Sequence, residues 1–504
     1  MATVAEALAA ALDHLRAGRL AEAEILYTRI LDVEPEEPEA LHRLGLVHAR
    51  RGDTAAAAAL IGRAAARDDA DPDALFNLGV LHHIVLRTEE AIACYRRAVA
   101  RRPDFPDAEY HLSEALQAMG RIGEALEVLE RLTARHPDHQ RARRQRGSIE
   151  AALGRPGAAV AFLEEAVALD PGDTAARDQL AEQLAVFARR RTILDAAGPD
   201  GRHDLRDVTV LVPFRRDSDD RARNLRLIVG HLLKHADTTV LIGEDRDGPG
   251  DAADALGPEL AARCRHLHLT GNATPFTHKA FLINRMVEAA QTPVVALHDT
   301  DVVVDPVQYV LARDAVRAGA AMVFPYNGLF FWIMGQAPVE QFARTLSSAA
   351  LLAVAHRHPV MHSNSPGGSA FFDRAALLAA GGYNERFLSW GYEDDEIVER
   401  MRRLGQRVER VPGPLFHLEH ARPLNSSDAN PFLAANRAEL ERIRAASPET
   451  IRADIAAGRL KRPLLSAADP GAAPPYPGAS GHTSAIAAVP MTITSSDSGN
   501  PSRE

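Results

Sequence analysis

Cysteine is scarce in this sequence, which has only Cys94 and Cys264 among its 504 residues. Because the two lie far apart along the chain, neither a disulfide framework nor a cysteine-based zinc site is expected. Free thiols persist in reducing compartments, so we expect a cytoplasmic protein. An excess of positive charge is also missing, since 58 basic residues against 68 acidic ones leave a net charge of −10. This balance disfavours nucleic acid and anionic membranes as partners.

Long hydrophobic runs are absent as well. The longest uncharged stretch covers residues 318–337, and Pro325, Asn327, Gly328 and Gln336 interrupt it. We expect a core strand with an adjoining loop there, and no transmembrane segment. The first residues lack a basic region followed by an apolar core, so no signal peptide is expected. The 46% hydrophobic content is that of a globular protein with room for several domains.

What the chain does contain, first, is a repeat of 34 residues. One column holds Gly18, Gly52, Gly120 and Gly154, with Leu86 in the remaining slot. Five residues later stand Ala23, Ala57, Ala91, Ala125 and Ala159, followed after four more by Tyr27, Ile61, Tyr95, Leu129 and Leu163. Each unit closes with Pro35, Asp69, Pro103, Pro137 or Pro171. Small residues let two helices approach, bulky residues fill the gap between them, and proline ends the second helix.

This pattern resembles the tetratricopeptide repeat over five units. A further helix over residues 174–190, equivalent to the first helix of a sixth unit, is expected to cap the stack, which gives a solenoid domain over residues 1–190. A solenoid of this kind has a concave face suited to peptides or helices, and we expect a protein partner there. The alternative is that the array only spaces or dimerises the rest of the chain.

An α/β domain is predicted after a linker at residues 191–207. Residues 208–214 and 239–243 are apolar strand-like runs separated by a helical pattern, as at the start of a parallel sheet. Ligands of such sheets bind at the carboxyl ends of the strands. Those ends carry Pro213, Phe214, Arg215 and Asp245, which are our first candidate substrate-binding residues.

Two carboxylates follow a further apolar strand. Residues 293–297 lead into Asp299-Thr300-Asp301. An Asp-x-Asp at a strand end can place one carboxylate on a divalent cation and direct the other toward a ribose or a nearby water. We assign Asp301 to the metal and Asp299 to the substrate.

Residues 366–420 form the segment around which the second domain is organised. A Gly367-Gly368 turn precedes Trp390-Gly391-Tyr392-Glu393-Asp394-Asp395-Glu396, and the segment ends at His417 and His420. The carboxylates stand where a helix begins, and a charged first turn is the plain alternative to a site. An aromatic platform before them and paired imidazoles after them favour a site.

The order of these motifs resembles the β-1,4-galactosyltransferase-like and chondroitin-polymerase-like glycosyltransferases of families 2 and 7. These are inverting enzymes of the GT-A fold, so the resemblance implies a GT-A nucleotide-sugar-binding domain over residues 208–430. It implies that Pro213-Phe214-Arg215 holds uridine diphosphate. It also adds Lys279 and Asn284 as substrate-binding candidates, through a looser match around residues 275–284.

The resemblance further implies a division of roles. Asp394 is the expected general base, Glu393 orients the acceptor, and Trp390 with Gly391 forms a floor for a sugar. The expected metal, Mn²⁺ or Mg²⁺, is bound by Asp301 and His420 together with the diphosphate of the donor. The family usually has a methionine where this chain has His417, so either one or both histidines are ligands.

The remaining segments are less specific. Residues 336–365 form either an acceptor-side lid or a surface insertion. Two helices are expected over residues 431–466, and a disordered tail rich in Pro, Ala, Gly, Ser and Thr over residues 467–504.

The resemblance therefore implies an inverting, metal-dependent transferase that moves a hexose or N-acetylhexosamine from a UDP-sugar to a hydroxyl of a glycan or protein. One rival is an interaction scaffold with an inactive transferase domain. A second rival is a peptide-glycosylating transferase with tetratricopeptide repeats and a different, metal-free fold.

Overall fold

The computed structural model describes residues 3–245, 251–269, 277–364, 366–389, 391–420, 430–461 and 491–494. The chain divides into two compact units. The first contains Met1–Ile149 and Ala158–Ala181, and the second contains Glu150–Gly157 and Glu182–Glu504. Within the residues that the structure describes, no helix has both the length and the apolar character needed to cross a lipid bilayer.

Eleven helices occupy the first 195 residues: α1 (Val4–Arg16), α2 (Leu20–Val33), α3 (Pro38–Arg50), α4 (Thr54–Ala65), α5 (Pro72–Ile84), α6 (Thr88–Arg101), α7 (Pro106–Ala118), α8 (Ile122–Arg135), α9 (Gln140–Ala152), α10 (Pro156–Leu169) and α11 (Thr174–Asp195). They correspond to five helical pairs and a further helix, as predicted. The predicted linker is shorter than expected, because α11 continues to Asp195 and the next strand already begins at His203.

The repeat columns have clear structural roles. All five alanines of the second column are completely buried, and the bulky residues that follow are at most 1% exposed. The close approach of helices is visible at Gly79, where an added Cβ would lie 2.6 Å from the Tyr95 ring. The glycines of the first column have φ between 71° and 83°, in the left-handed region. Leu86 occupies the same slot with φ of 60°. This left-handed conformation is strained in leucine, because its Cβ lies too close to the following carbonyl oxygen.

The described part of the second unit contains twelve strands: β1 (His203–Phe214), β2 (Ala236–Asp245), β3 (Arg265–Leu269), β4 (Val294–His298), β5 (Val302–Val303), β6 (Met322–Phe324), β7 (Leu329–Ile333), β8 (Val360–Ser363), β9 (Ser369–Asp373), β10 (Val408–Arg410), β11 (Leu415–Leu418) and β12 (Met491–Thr494). Its remaining helices are α12 (Asp219–His235), α13 (Asp251–Leu256), α14 (Pro258–Ala261), α15 (Lys279–Ala289), α16 (Pro306–Arg317), α17 (Gln336–Thr345), α18 (Ser348–Leu352), α19 (Arg374–Ala379), α20 (Glu393–Arg403), α21 (Leu433–Ala445) and α22 (Pro448–Ala456).

Eight strands form one mixed sheet in the order β10-β6-β9-β4-β1-β2-β3-β12. β1 is parallel to both β2 and β4, and β2 is parallel to β3. The chain leaves β1 toward one side for β2 and β3 and then returns to its other side for β4. Reversals of this kind create a crevice at the carboxyl ends of the strands, where ligands of α/β sheets bind.

A second sheet, in the order β5-β11-β7-β8, lies in the same unit. β5 is the short strand directly after Asp301, and it pairs antiparallel with β11, with Val302 opposite His417. This register brings Asp301 next to His417.

The C-terminal part agrees with the predicted helices in α21 and α22. Residues 462–490 and 495–504 lie outside the described residues. Within the segment predicted to be disordered, Met491–Thr494 form β12, which pairs antiparallel with β3. Thr and Ile alternate there, and both residue types favour strands.

Candidate functional site

One cavity of about 730 Å³ opens at the carboxyl ends of β1 and β4. Thirteen of the sixteen predicted site residues line it: Pro213, Phe214, Arg215, Lys279, Asp299, Asp301, Gly367, Gly368, Gly391, Glu393, Asp394, His417 and His420. The sheet explains this convergence, because β9 runs antiparallel to β4 and so begins at the edge where β4 ends. The Asp299 amide donates a hydrogen bond of 2.8 Å to the Gly368 carbonyl across that junction.

Three buried side chains at one side of the cavity are arranged as metal ligands. Asp301, His417 and His420 each offer one ligand atom, and these atoms lie within 4.8 Å of one another. Nε2 of His420 is 2.9 Å from one Asp301 carboxylate oxygen, and Nε2 of His417 is 3.7 Å from the other. The donor set of one carboxylate and two imidazoles fits a divalent ion such as Mn²⁺, with room for further oxygen ligands.

The electrostatics of Asp301 agree with that arrangement. Burial alone would raise its pKa, but the neighbouring His417, His420 and Arg221 hold the pKa well below its usual value. Asp301 is therefore ionised at neutral pH, which is the form that binds a cation.

A second group of charges surrounds Lys279, the first residue of α15. Its ammonium lies 3.3 Å from carboxylate oxygens of both Asp299 and Glu393, and 3.8 Å from one of Asp394. Burial disfavours the charged ammonium, yet the three carboxylates hold the pKa of Lys279 well above its usual value. In the sequence, Lys279 is a candidate only through a loose resemblance, whereas in the structure it lies at the centre of the acidic cluster.

Asp394 lies in the same acidic cluster, and its pKa is strongly raised. Burial raises the pKa of Asp394 to about 8; Lys279 opposes that shift, and the charges of Glu393 and Asp299 add to it. Three carboxylates share one ammonium, so a proton stays in the cluster up to about neutral pH. A carboxyl group with its pKa near the working pH is suited to general base catalysis.

The start of α20 holds the two acidic residues in place. Glu393 accepts a hydrogen bond of 2.8 Å from the Gly391 amide. Gly391 has φ of 114°, and an added Cβ would lie 2.7 Å from Leu433. Further along α20, the completely buried Arg400 pairs with Glu396 at 2.8 Å and donates to the Gly382 carbonyl at 2.7 Å.

Two predicted substrate-binding residues do not line the cavity. Asn284 donates to the Tyr383 carbonyl at 2.9 Å and to Glu385 at 2.7 Å, and it accepts from the Tyr383 amide. These hydrogen bonds hold the segment before α20 in place, so the role of Asn284 in this structure is structural. Asp245 accepts from the His278 amide at 2.9 Å, at the start of α15. Trp390 lies outside the described residues.

Other residues also line the cavity that are not among the predicted site residues, notably Asp217, Arg221 and Tyr392. Nε of Arg221 lies 3.2 Å from Asp217, and its charge acts on Asp301. An arginine in an ordinary helical pattern gave no signal of this role. Met361 and Asn364, from the segment interpreted as either a lid or an insertion, also line the cavity.

Two known families match separate segments of the chain. The family described as tetratricopeptide repeat matches residues 8–74, 43–106 and 112–174. The prediction of tetratricopeptide repeats is thereby confirmed. The family described as the N-terminal domain of galactosyltransferase matches residues 350–422, a segment that includes Glu393, Asp394, His417 and His420. The chain therefore carries a galactosyltransferase-like segment after its repeats.

Among solved structures, the chain is similar to MamA, with 23% identity over 32% of this chain and 93% of that chain and a TM-score of 0.30. YrrB, described as a TPR protein with an unusual peptide-binding site, shows 19% identity over 35% and 91% with a TM-score of 0.33. PilF of Pseudomonas aeruginosa shows 17% identity over 38% and 86% with a TM-score of 0.34. No curated protein matches the chain.

Proposed function

We propose that the chain is a metal-dependent, inverting glycosyltransferase with a domain of the GT-A type. Its donor is a UDP-sugar carrying a hexose or N-acetylhexosamine, and its acceptor is a hydroxyl of a glycan or protein. One observation carries the proposal: the ligand set of Asp301, His417 and His420 and the acidic cluster of Glu393 and Asp394 line the same cavity. If Glu393 and Asp394 only began a helix, there would be no reason for the ligand set of Asp301, His417 and His420 to line the same cavity.

The donor side of the cavity combines several elements. Pro213, Phe214 and Arg215 lie at the end of β1, where a nucleotide is expected. Asp301, His417 and His420 would hold Mn²⁺ or Mg²⁺, and a bound divalent ion would supply positive charge that favours departure of the diphosphate. Arg221 adds a fixed positive charge to the same side.

The acceptor side supplies the base. Asp394 takes the proton of the acceptor hydroxyl while the hydroxyl oxygen forms a bond to the anomeric carbon. The bond from that carbon to the diphosphate oxygen breaks, and its electron pair leaves with UDP. Glu393 orients the acceptor, and Lys279 balances the charge of the carboxylates through its contacts of 3.3 Å with Asp299 and Glu393.

The repeats serve recognition in this proposal. Tetratricopeptide arrays present a concave surface to peptides or helices, so the array binds a protein partner or the protein that carries the acceptor. An interaction scaffold with an inactive second domain uses the same surface but predicts no turnover.

The test is a screen of UDP-sugar hydrolysis by the full chain with manganese. We expect one donor to be hydrolysed and EDTA to abolish the reaction. Absence of both hydrolysis and manganese-dependent UDP binding across the donors would overturn the proposal and favour the scaffold. Turnover that is insensitive to EDTA would instead favour the metal-free class of transferase.

A further inference from the structure

A second cluster of metal-ligating side chains lies outside the cavity, on β2 and β3. Glu244, His266 and His268 each offer one ligand atom, and these atoms lie within 4.8 Å of one another. The parallel register sets Glu244 opposite His268 and Ile242 opposite His266. Because alternate strand residues share a face, the three side chains project from the same face of the sheet.

Hydrogen bonds orient these side chains as they do in metal sites. Nε2 of His266 lies 3.2 Å from the Ala261 carbonyl, to which it donates, so Nδ1 keeps the lone pair that a metal needs. One Glu244 oxygen accepts from the Ala252 amide at 2.8 Å, and the other lies 3.1 Å from Nδ1 of His268. Bonds of this kind from a ligand to the backbone fix ring orientation and tautomer around bound metals.

A simple hydrogen bond between His268 and Glu244 does not account for His266. The rings of His266 and His268 lie nearly parallel, at 9° with centroids 6.2 Å apart. One ring nitrogen of each lies within 4.8 Å of a Glu244 carboxylate oxygen. A buried carboxylate is usually paired with a cation or coordinates a metal. Glu244 and His266 are 4% and 8% exposed.

We propose that Glu244, His266 and His268 form a second metal site, for a divalent transition-metal ion of the zinc class. Two histidines and one glutamate are a known zinc ligand set, and imidazole suits zinc better than it suits magnesium or calcium. The His268 side chain is 27% exposed, which leaves a route for the ion and a position for water as the fourth ligand. The bound ion would cross-link the ends of β2 and β3.

The experiment uses zinc alone and requires no sugar donor. In the full chain carrying Asp301→Ala and His420→Ala, the cavity loses two of its three ligands, so the second cluster can be observed by itself. We expect calorimetry and elemental analysis after dialysis to show one zinc ion per chain. His268→Gln in this background should weaken zinc binding at least about tenfold. His136→Gln, a histidine of the repeat array, is the matched control and should leave zinc binding unchanged.

Glu244→Gln provides a second variant in case His268→Gln fails to fold. Glutamine keeps the volume and the bond from the Ala252 amide but is a much poorer zinc ligand. Zinc should raise the melting temperature of the background chain and not that of the Glu244→Gln variant. A background chain that binds no zinc, or one whose zinc binding survives either substitution, overturns the proposal. Since no donor or turnover is involved, this result is independent of the proposed glycosyl transfer.

Discussion

Residues that contact each other in the repeat array are close in sequence, whereas residues that contact each other in the candidate site are far apart in sequence. In the array, the ion pair of Arg102 with Asp73 joins residues 29 positions apart, close to one repeat. In the site, the contact of Lys279 with Glu393 joins residues 114 positions apart. The array is therefore specified by a local period, whereas the site exists only when distant strands pair correctly. The two regions should respond differently to substitution.

The largest effect is expected at the metal ligands of the cavity. Asp301→Ala removes the carboxylate that lies beside both histidines, so manganese-dependent binding of UDP should be abolished while the fold is retained. Calorimetry with and without manganese measures this. Asp204→Ala, at an exposed position of β1, is the control. If the Asp301→Ala variant binds UDP with unchanged affinity in the presence of manganese, Asp301 is not a metal ligand.

Substitution of the proposed base comes next. Asp394→Asn keeps the size of the side chain but cannot accept a proton, and loss of a general base typically costs about a hundred- to ten-thousand-fold in rate. Donor affinity should stay within a few-fold, since Asp394 is not among the proposed nucleotide or metal contacts. Glu393→Gln should weaken acceptor use more than donor hydrolysis.

Glu399→Gln is the matched control for Asp394→Asn, because Glu399 lies on the same helix and pairs with Arg403. A chain with Asp394→Asn that transfers sugar at the wild-type rate would show that this carboxylate only begins a helix.

The long-range packing of the second unit can be tested at Arg400. Arg400→Met leaves Glu396 buried without its partner, which typically costs about 3–5 kcal/mol of stability. Both tryptophans of the chain, Trp332 and Trp390, belong to the second unit, so urea denaturation followed by tryptophan fluorescence reports on it. The double variant Arg400→Met/Glu396→Leu should recover much of the loss. Equal stability of Arg400→Met and the wild type would contradict this role.

The pH dependence of both activity and stability follows from Asp394. Transfer requires its ionised form, so the rate should rise as pH increases toward about 8. A carboxyl whose folded pKa lies above its unfolded value binds more protons when folded. The free energy of unfolding should therefore fall as pH rises from about 4 to about 8, and Asp394→Asn should lack that slope. Fluorescence-detected urea denaturation at several pH values checks this prediction.

The smallest effect is expected in the array. Leu86→Gly relieves a left-handed leucine, worth roughly 1–2 kcal/mol, at the cost of some added freedom in the unfolded chain. Leu86 is 87% exposed, so little burial is lost. We expect a net gain of about 1 kcal/mol or less, seen as a slightly higher melting temperature by circular dichroism. A lower melting temperature would mean that Leu86 makes contacts which glycine cannot replace.

Most residues of the candidate site can be predicted from the sequence, because they lie at the ends of recognisable strands. Pro213, Asp299 and Asp301 come directly after apolar runs, and parallel strands bring such ends together. Asp245, the last residue of β2, and Asn284, within α15, carry the same kind of side chain. Their hydrogen bonds go to the His278 amide and to the Tyr383 backbone instead, so they hold neighbouring segments in place. Arg221 is the converse case, a helical residue that gave no sign of lining the cavity.

By itself the sequence determined the helical pairs of the array, because each small, bulky or left-handed position is repeated and its partner lies within one period. It also determined which residue types are available for metal binding and proton transfer. Only the tertiary structure decided which of them meet. The antiparallel register of β5 and β11 sets His417 beside Asp301. Lys279, at the start of α15, meets Asp299 after β4 and both Glu393 and Asp394 at the start of α20. Strand pairing and helix packing between distant segments leave no period in the sequence. They bury Asp394 and position the charges beside it, and burial is the main cause of its raised pKa.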